Sequence, residues 1–208
     1  MQTAYLCIDT ISSAAGITVL KEDFAHHSPL NPQMASEGII ELIDQALKKS
    51  KIELSDLAGV FVIKGPGSFT GLRVGISVAN QFAHQLKIPI LGLKTDEWWL
   101  LRGNEGEKLF LQSMNKQEIY CADAEHSQII AIEKLSEFGE REWLGELKFD
   151  HQEKLPFNFQ EIVALDSVEK TWEKLIQGYS EGLKPQKTYE LVEPFYGKEP
   201  NITKAKKA

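Results

Sequence analysis

The chain has 208 residues, of which 42% are hydrophobic and 25% charged, so it can bury a substantial core as one domain or two small lobes. Its net charge of -7 argues against independent binding of nucleic acid, because affinity for a phosphate backbone comes mainly from Lys and Arg. Cys7 and Cys121 are too few and too far apart for a disulfide framework or a zinc site. The apolar run at the N-terminus, broken at Asp9, is too short for a signal peptide or membrane span, and we expect a cytoplasmic protein.

The first 27 residues predict a strand meander with an aspartate at its first turn. Residues 4–8 and 16–20 read as paired strands, and 23–27 as a weaker third strand. Asp9 is similar to the carboxylate that helps to hold Mg²⁺ in the first hairpin of actin-like ATPases and sugar kinases. Those hairpins usually carry glycine, whereas residues 9–15 contain none, which favours an aspartate that caps its own turn.

A glycine-rich loop then joins a strand to a long helix. Residues 35–49 have the spacing of an amphipathic helix, residues 60–63 form an apolar strand, and a largely apolar helix runs to about Leu86. Gly65, Gly67 and Ser68 lie in the loop between them, where free helical N–H groups favour an anion. The glycine spacing matches neither a Walker loop nor a dinucleotide fingerprint, so an ordinary connecting turn remains the alternative.

The helix after the loop is apolar on nearly all sides, which predicts that it is covered on more than one face. Gly71 and Gly75 are four residues apart and share one of these faces, so either a helix of this chain or a partner fills it. Arg73 is the one charge at the start of the helix. It serves either as a fork for a carboxylate or phosphate or as a stem that covers apolar surface.

The second half repeats this organisation in reduced form. A strand at 88–93 and a helix at 95–102 complete the first half, and the second half predicts strands at 108–112, 118–122, 128–133 and 161–165 and a helix that begins at Asp166 or Ser167 and is ended by Gly182 and Pro185. Residues 135–159 have no clear assignment. The polar residues 103–107 mark a boundary between an N-terminal lobe, 1–103, and a smaller C-terminal lobe, 104–208, with a Lys-rich tail from Gly197.

The string Gly65–Gly75, GPGSFTGLRVG, resembles the signature of the bacterial TsaB (YeaZ) family, which serves in making threonylcarbamoyladenosine in tRNA. The segments 6–10, 118–120 and 193–196 are similar to further family motifs. The resemblance implies an α/β protein with the actin-like ATPase (ASKHA) fold. It also implies two ribonuclease-H-like lobes, the second of them reduced.

The resemblance further implies a non-catalytic scaffold subunit. Such a subunit binds the ligase TsaD, which transfers the threonylcarbamoyl group to adenosine beside the tRNA anticodon, and a TsaE-like ATPase joins the pair. The chain would meet tRNA only through the complex and carry no cofactor of its own. Two further points stay open, namely whether it forms a homodimer when alone and whether ATP and Mg²⁺ bind at the partner interface. The implied partner-binding residues are Ile39, Ile43, Gly71, Arg73, Val74, Gly75 and Val78. The residues to be tested for nucleotide binding are Asp9, Gly65, Gly67 and Ser68.

A second hypothesis is an independent ATP-dependent kinase of the actin-like class, motivated by Asp9 and the glycine loop. The chain also departs from the family pattern. Residues 31–35 replace an Arg/His-rich stretch, and Ser113-Met114-Asn115 replaces Asp-Ala-Arg. These departures leave room for a divergent partner surface.

Overall fold

The protein is built on two five-stranded sheets. A computed structural model describes residues 4–22, 24–31, 35–103, 106–163, 165–179 and 191–197. The first sheet contains β1 (Ala4–Asp9), β2 (Gly16–Lys21), β3 (Phe24–Pro29), β4 (Leu57–Gly65) and β5 (Ile90–Lys94). The second contains β6 (Lys108–Ser113), β7 (Glu118–Ala122), β8 (Ser127–Ala131), β9 (Arg141–Glu146) and β10 (Phe159–Glu161). The helices are α1 (Ala35–Ser50), α2 (Phe69–Leu86), α3 (Thr95–Arg102), α4 (Phe149–Gln152) and α5 (Val168–Tyr179), with 3-10 turns at Leu54–Asp56 and Ile132–Phe138.

The two sheets share one topology. The strand order is β3-β2-β1-β4-β5 in the first and, read in the same sense, β8-β7-β6-β9-β10 in the second. In each, the first three strands form an antiparallel meander and the last two run parallel to the central strand. The second lobe is reduced because the 3-10 turn replaces α1 and the four-residue α4 stands where the first lobe has the 18-residue α2. The predicted two-lobed α/β fold of the actin-like type is confirmed.

The first sheet carries the main core. Its central strands β1 and β4 are buried along nearly their whole length, as expected of strands covered on both faces. Helices α1 and α2 pack together against this sheet, and α3 and α5 pack together against it as well. The predicted strands and helices of residues 4–102 are therefore all present, with shifts of a few residues at their ends.

The chain returns to the first lobe after its second sheet. Helix α5 buries Trp172 beside Phe61 and Trp98, with ring centroids 6.4 and 6.0 Å apart. Residues 191–197, which we call the C-terminal strap, lie across α2 and the end of β4. A division at residue 103 therefore separates the two sheets, but α5 and the C-terminal strap pack against the core of the first lobe.

The strand expected at residues 161–165 is wrong, because β10 ends at Glu161. Val163 is 82% exposed, although Ile162 is buried and Leu165 packs against the first core, and Ala164 lies outside the described residues. The structure instead forms β9 within the unassigned stretch, where only Trp143 and Leu144 of the six strand residues are buried. Residues 198–208, which contain most of the Lys-rich tail, lie outside the described residues. Of the described helices, none is both long and apolar enough to cross a membrane.

Candidate functional site

The glycine loop is closed by the C-terminal strap. Gly65 has φ +111°, and a Cβ on it would lie 2.1 Å from the carbonyl oxygen of Phe195, so only glycine lets the strap pass here. The Phe195 N–H donates to the Lys64 carbonyl at 2.7 Å. The loop then leads directly into α2, where the Ser68 hydroxyl caps the helix by accepting from the Gly71 N–H at 3.4 Å.

A side-chain clamp holds the other end of the strap. The Asn80 amide donates to the Val192 carbonyl at 2.9 Å and accepts from the Val192 N–H at 3.0 Å. Val192 also lies against Gly92, where a Cβ would meet it at 2.5 Å. The strap thus pairs its backbone with α2 and β4, and it places Tyr196 against the ring of Phe69 with centroids 5.1 Å apart.

The carboxylate of Asp9 is used by its own turn. It is 2% exposed and accepts from the N–H groups of Ile11 at 2.9 Å and Ser12 at 3.1 Å, and from the Ser12 hydroxyl. Burial raises the pKa of Asp9, while these hydrogen bonds work in the opposite direction. The turn-capping interpretation of Asp9 is confirmed.

The predicted nucleotide-binding set therefore needs correction. Asp9 is bonded within its turn, Gly65 faces the strap, and a Cβ on Gly67 would lie 2.6 Å from Ile11. Ser68 caps its own helix. These four residues do not form an open phosphate seat, and their arrangement does not fit a Mg²⁺–nucleotide complex.

Contacts between the lobes tie the first hairpin to the second sheet. The Ser13 N–H donates to Glu146 Oε1 at 2.5 Å, and burial raises the pKa of Glu146. Arg102 packs on Trp98 and Trp99 with its Cζ 4.8 Å from each centroid, and its Nε donates to the Asp166 carbonyl at 3.2 Å. The Ser13–Glu146 hydrogen bond thus bridges the two lobes, while the Arg102 contact joins α3 to the segment that leads into α5.

The inner face of α2 is filled by the subunit itself. A Cβ on Gly71 would lie 2.5 Å from the Thr10 carbonyl oxygen, and one on Gly75 would lie 2.3 Å from Thr10 Oγ1. The Thr10 hydroxyl donates to the Gly71 carbonyl at 2.8 Å. The glycines therefore allow Thr10, the residue after β1, to approach α2, so their face is filled by this chain as one alternative expected, but by a turn and not by a helix.

Four of the seven predicted partner-binding residues are consequently unavailable in the folded subunit. Gly71 and Gly75 face Thr10, and Ile39 and Ile43 are 2% and 1% exposed within the first core. Helical periodicity identified these positions as apolar, but it could not tell an internal neighbour from an external one. Of the remaining three, Arg73 is exposed, and Val74 and Val78 are half-buried at the margin of the first core.

We define the outer face of α2 by Phe69, Arg73, Val74 and Val78. Phe69 is 52% exposed, Val74 and Val78 are half-buried, and Arg73 is exposed with its Cζ 4.0 Å above the centroid of Phe69. The Arg73 guanidinium covers an aromatic ring and remains accessible, while its use as a fork for a carboxylate or phosphate stays a prediction. Phe69 and Tyr196 were not predicted to form one cluster, because they are far apart in the chain.

A cavity of about 830 Å³ lies between α3 and the second sheet and contains Asp96, Leu101 and Arg141. Its buried carboxylate, Asp96, accepts from the Tyr120 hydroxyl at 3.1 Å, and burial raises the pKa of Asp96. Within the described residues, no three His, Cys, Asp or Glu side chains are grouped to hold a metal ion.

Comparison with known proteins relates the chain to one family. A family model described as TsaD, tRNA N6-adenosine threonylcarbamoyltransferase, matches residues 31–190. The tRNA threonylcarbamoyladenosine biosynthesis protein TsaB of Escherichia coli (strain K12) is 31% identical over 91 residues, or 43% of this chain and 39% of that protein. TsaB of Bacillus subtilis (strain 168) is 31% identical over 106 residues, or 50% of this chain and 46% of that protein. These alignments span about half or less of the curated relatives.

A solved structure supports the fold. The structure described as YeaZ from Pseudomonas aeruginosa superimposes with a TM-score of 0.69 and 17% sequence identity, covering 93% of this chain and 99% of that one. At this identity the likeness shows the fold alone.

Proposed function

Since the chain belongs to the TsaD family of proteins, and within it to the TsaB (YeaZ) group, we propose that it is a scaffold subunit in the threonylcarbamoyladenosine modification of tRNA. In this role it binds a TsaD-like ligase and supports transfer of the threonylcarbamoyl group to adenosine beside the anticodon. A TsaE-like ATPase joins the pair, and tRNA reaches this subunit only through the assembly.

The outer face of α2 is the observation that carries the proposal. Phe69, Val74 and Val78 leave apolar surface at the side of a helix whose opposite side is anchored in the core. A rigid helix with an apolar strip is a suitable element for packing against helices of another protein. An interface built around it would cover roughly 800 Å² per partner if it is of standard size.

The proposed role is non-catalytic because the residues that motivated the kinase hypothesis are engaged in contacts within the subunit. Asp9 closes its own turn, and the strap covers the loop at Gly65. We therefore expect no cofactor on the isolated chain and place any ATP and Mg²⁺ of the assembly at the partner interface. Calorimetric titration of the isolated chain with Mg-ATP should release no binding heat, whereas saturable heat at one site per chain would support the kinase alternative.

Copurification with the ligase of the same organism tests the scaffold role. The wild-type chain should form a stable heterodimer, and Val78→Asp should abolish it, because a carboxylate on the outer face would have to be buried unpaired. Phe149→Asp is the matched control, since Phe149 is 74% exposed on the second lobe. Failure of the wild-type chain to bind, or full binding by Val78→Asp, would contradict the proposal.

The same variants address self-association. We propose that the isolated chain forms a homodimer through the outer face when the ligase is absent. A mass measurement by light scattering should then give a dimer for the wild type and a monomer for Val78→Asp. If the wild-type chain is a monomer, the homodimer proposal is contradicted and the heterodimer proposal is unaffected.

A further inference from the structure

One cation on the outer face of α2 is held in a defined orientation. The Arg73 guanidinium lies 4.0 Å above the centroid of Phe69, and Tyr196 stacks on the same ring at 5.1 Å with 28° between the planes. Stacking on an aromatic ring orders an arginine side chain while leaving its N–H groups free. The strap fixes Tyr196 in turn, because Phe195 next to it is bonded to the Lys64 carbonyl.

The charge around Arg73 is unusual for this protein. The chain has 30 acidic residues and a net charge of -7, but the 18 residues of α2 include no Asp or Glu. Among the described residues, the ion pairs involve Lys48, Lys170, Lys174 and His126, and Arg73 forms none. The outer face thus presents a cation that no acidic side chain of the described residues neutralises.

We infer that the partner proposed above presents a carboxylate side chain to Arg73, beside an apolar surface that covers Val74 and Val78. The inference rests on the proposed function and adds the chemistry of recognition. A guanidinium binds a carboxylate through two parallel N–H donors, which fixes direction as well as charge. Phe69 covers one side of this pair, so water competes less for the donors.

A protein carboxylate suits this face better than a nucleic acid does. Arg73 is a single cation, whereas a phosphate backbone is held by several Lys and Arg residues that displace counterions. The neighbouring valines are half-buried and require an apolar cover, which a sugar–phosphate chain does not supply. The face therefore matches an acidic residue set within an apolar strip of a partner helix.

Affinity measurements with the ligase test the inference. We expect Arg73→Lys to weaken binding about tenfold and Arg73→Glu about a hundredfold or more, because lysine keeps the charge but loses the fork. Tyr196→Ala should weaken binding severalfold by loosening Phe69 and Arg73. Lys116→Glu is the control, since it makes the same charge change on an exposed turn of the second lobe and should leave the affinity unchanged.

The outcomes separate the inference from the proposed function. Raising the salt concentration should weaken wild-type binding more than binding by Arg73→Ala, because only the wild type has the ion pair. If the wild type binds and Arg73→Glu binds equally well, the inference is overturned and the scaffold role stands. If the wild type does not bind, both are overturned. If Arg73→Glu instead abolishes tRNA binding by the isolated chain and spares the ligase, Arg73 recognises nucleic acid and the inference is also overturned. Circular dichroism and thermal melting of each variant show that it is folded.

Discussion

Replacing Asn80 by alanine should release the C-terminal strap as a unit. The substitution removes both hydrogen bonds between the Asn80 amide and the Val192 backbone, which measure 2.9 and 3.0 Å. At about 1 kcal/mol for each bond in a half-buried site, the strap loses roughly 2 kcal/mol of docking free energy. The higher helix propensity of alanine does not offset this loss, because α2 is folded whether the strap is docked or released.

Amide hydrogen exchange measures this docking equilibrium directly. A loss of about 2 kcal/mol corresponds to roughly thirtyfold faster amide exchange, provided that the opened strap closes again faster than the exposed amide exchanges. The decisive amide is that of Phe195, because its own bond to Lys64 is untouched by the substitution. If Phe195 exchanges at the wild-type rate in Asn80→Ala, the strap does not open as one unit and the reasoning is refuted. Gln81→Ala changes the next and exposed position of α2, and it should leave the exchange rates of the Val192 and Phe195 amides unchanged.

Three further predictions concern stability, each measured by denaturation of the isolated chain. Gly75→Arg should unfold the first lobe, and Gly75→Ala should cost about 1–3 kcal/mol, because the new Cβ would lie 2.3 Å from Thr10 Oγ1; wild-type melting would contradict this. Burial raises the pKa of Glu146, so the folded state holds its proton more tightly and stability falls as the pH rises above the ordinary glutamate value. Glu146→Gln lacks this penalty, and its stability relative to the wild type should increase from about pH 4 to pH 7, whereas a pH-independent difference would refute the effect. Tyr120→Phe should lower the free energy of unfolding by about 1–3 kcal/mol because buried Asp96 loses a donor, and an unchanged midpoint would show that this bond is not needed.

The candidate site could be predicted only in part. The motif identified α2 and its loop as the important segment, and three of the seven proposed contact residues, including Arg73, do lie on its outer side. The other four are apolar or small because they are buried inside the subunit. Burial under a partner favours the same residue types, so the sequence could not distinguish the two cases. Tyr196 could be linked to Phe69 only once the strap was placed, because their proximity depends on a return of the chain that leaves no periodic signal.

The sequence by itself determined the elements of the first lobe and the family. Apolar runs and helical spacing are local patterns, and in this lobe the residues that carry them are the ones that become buried. Only the tertiary structure decided what each face touches. The deciding contacts join residues distant in sequence, Thr10 with Gly71 and Asn80 with Val192, 61 and 112 positions apart. A neighbour brought close by folding leaves no mark in local spacing, so the glycines of α2 could be assigned to this chain only when the end of β1 was seen against them.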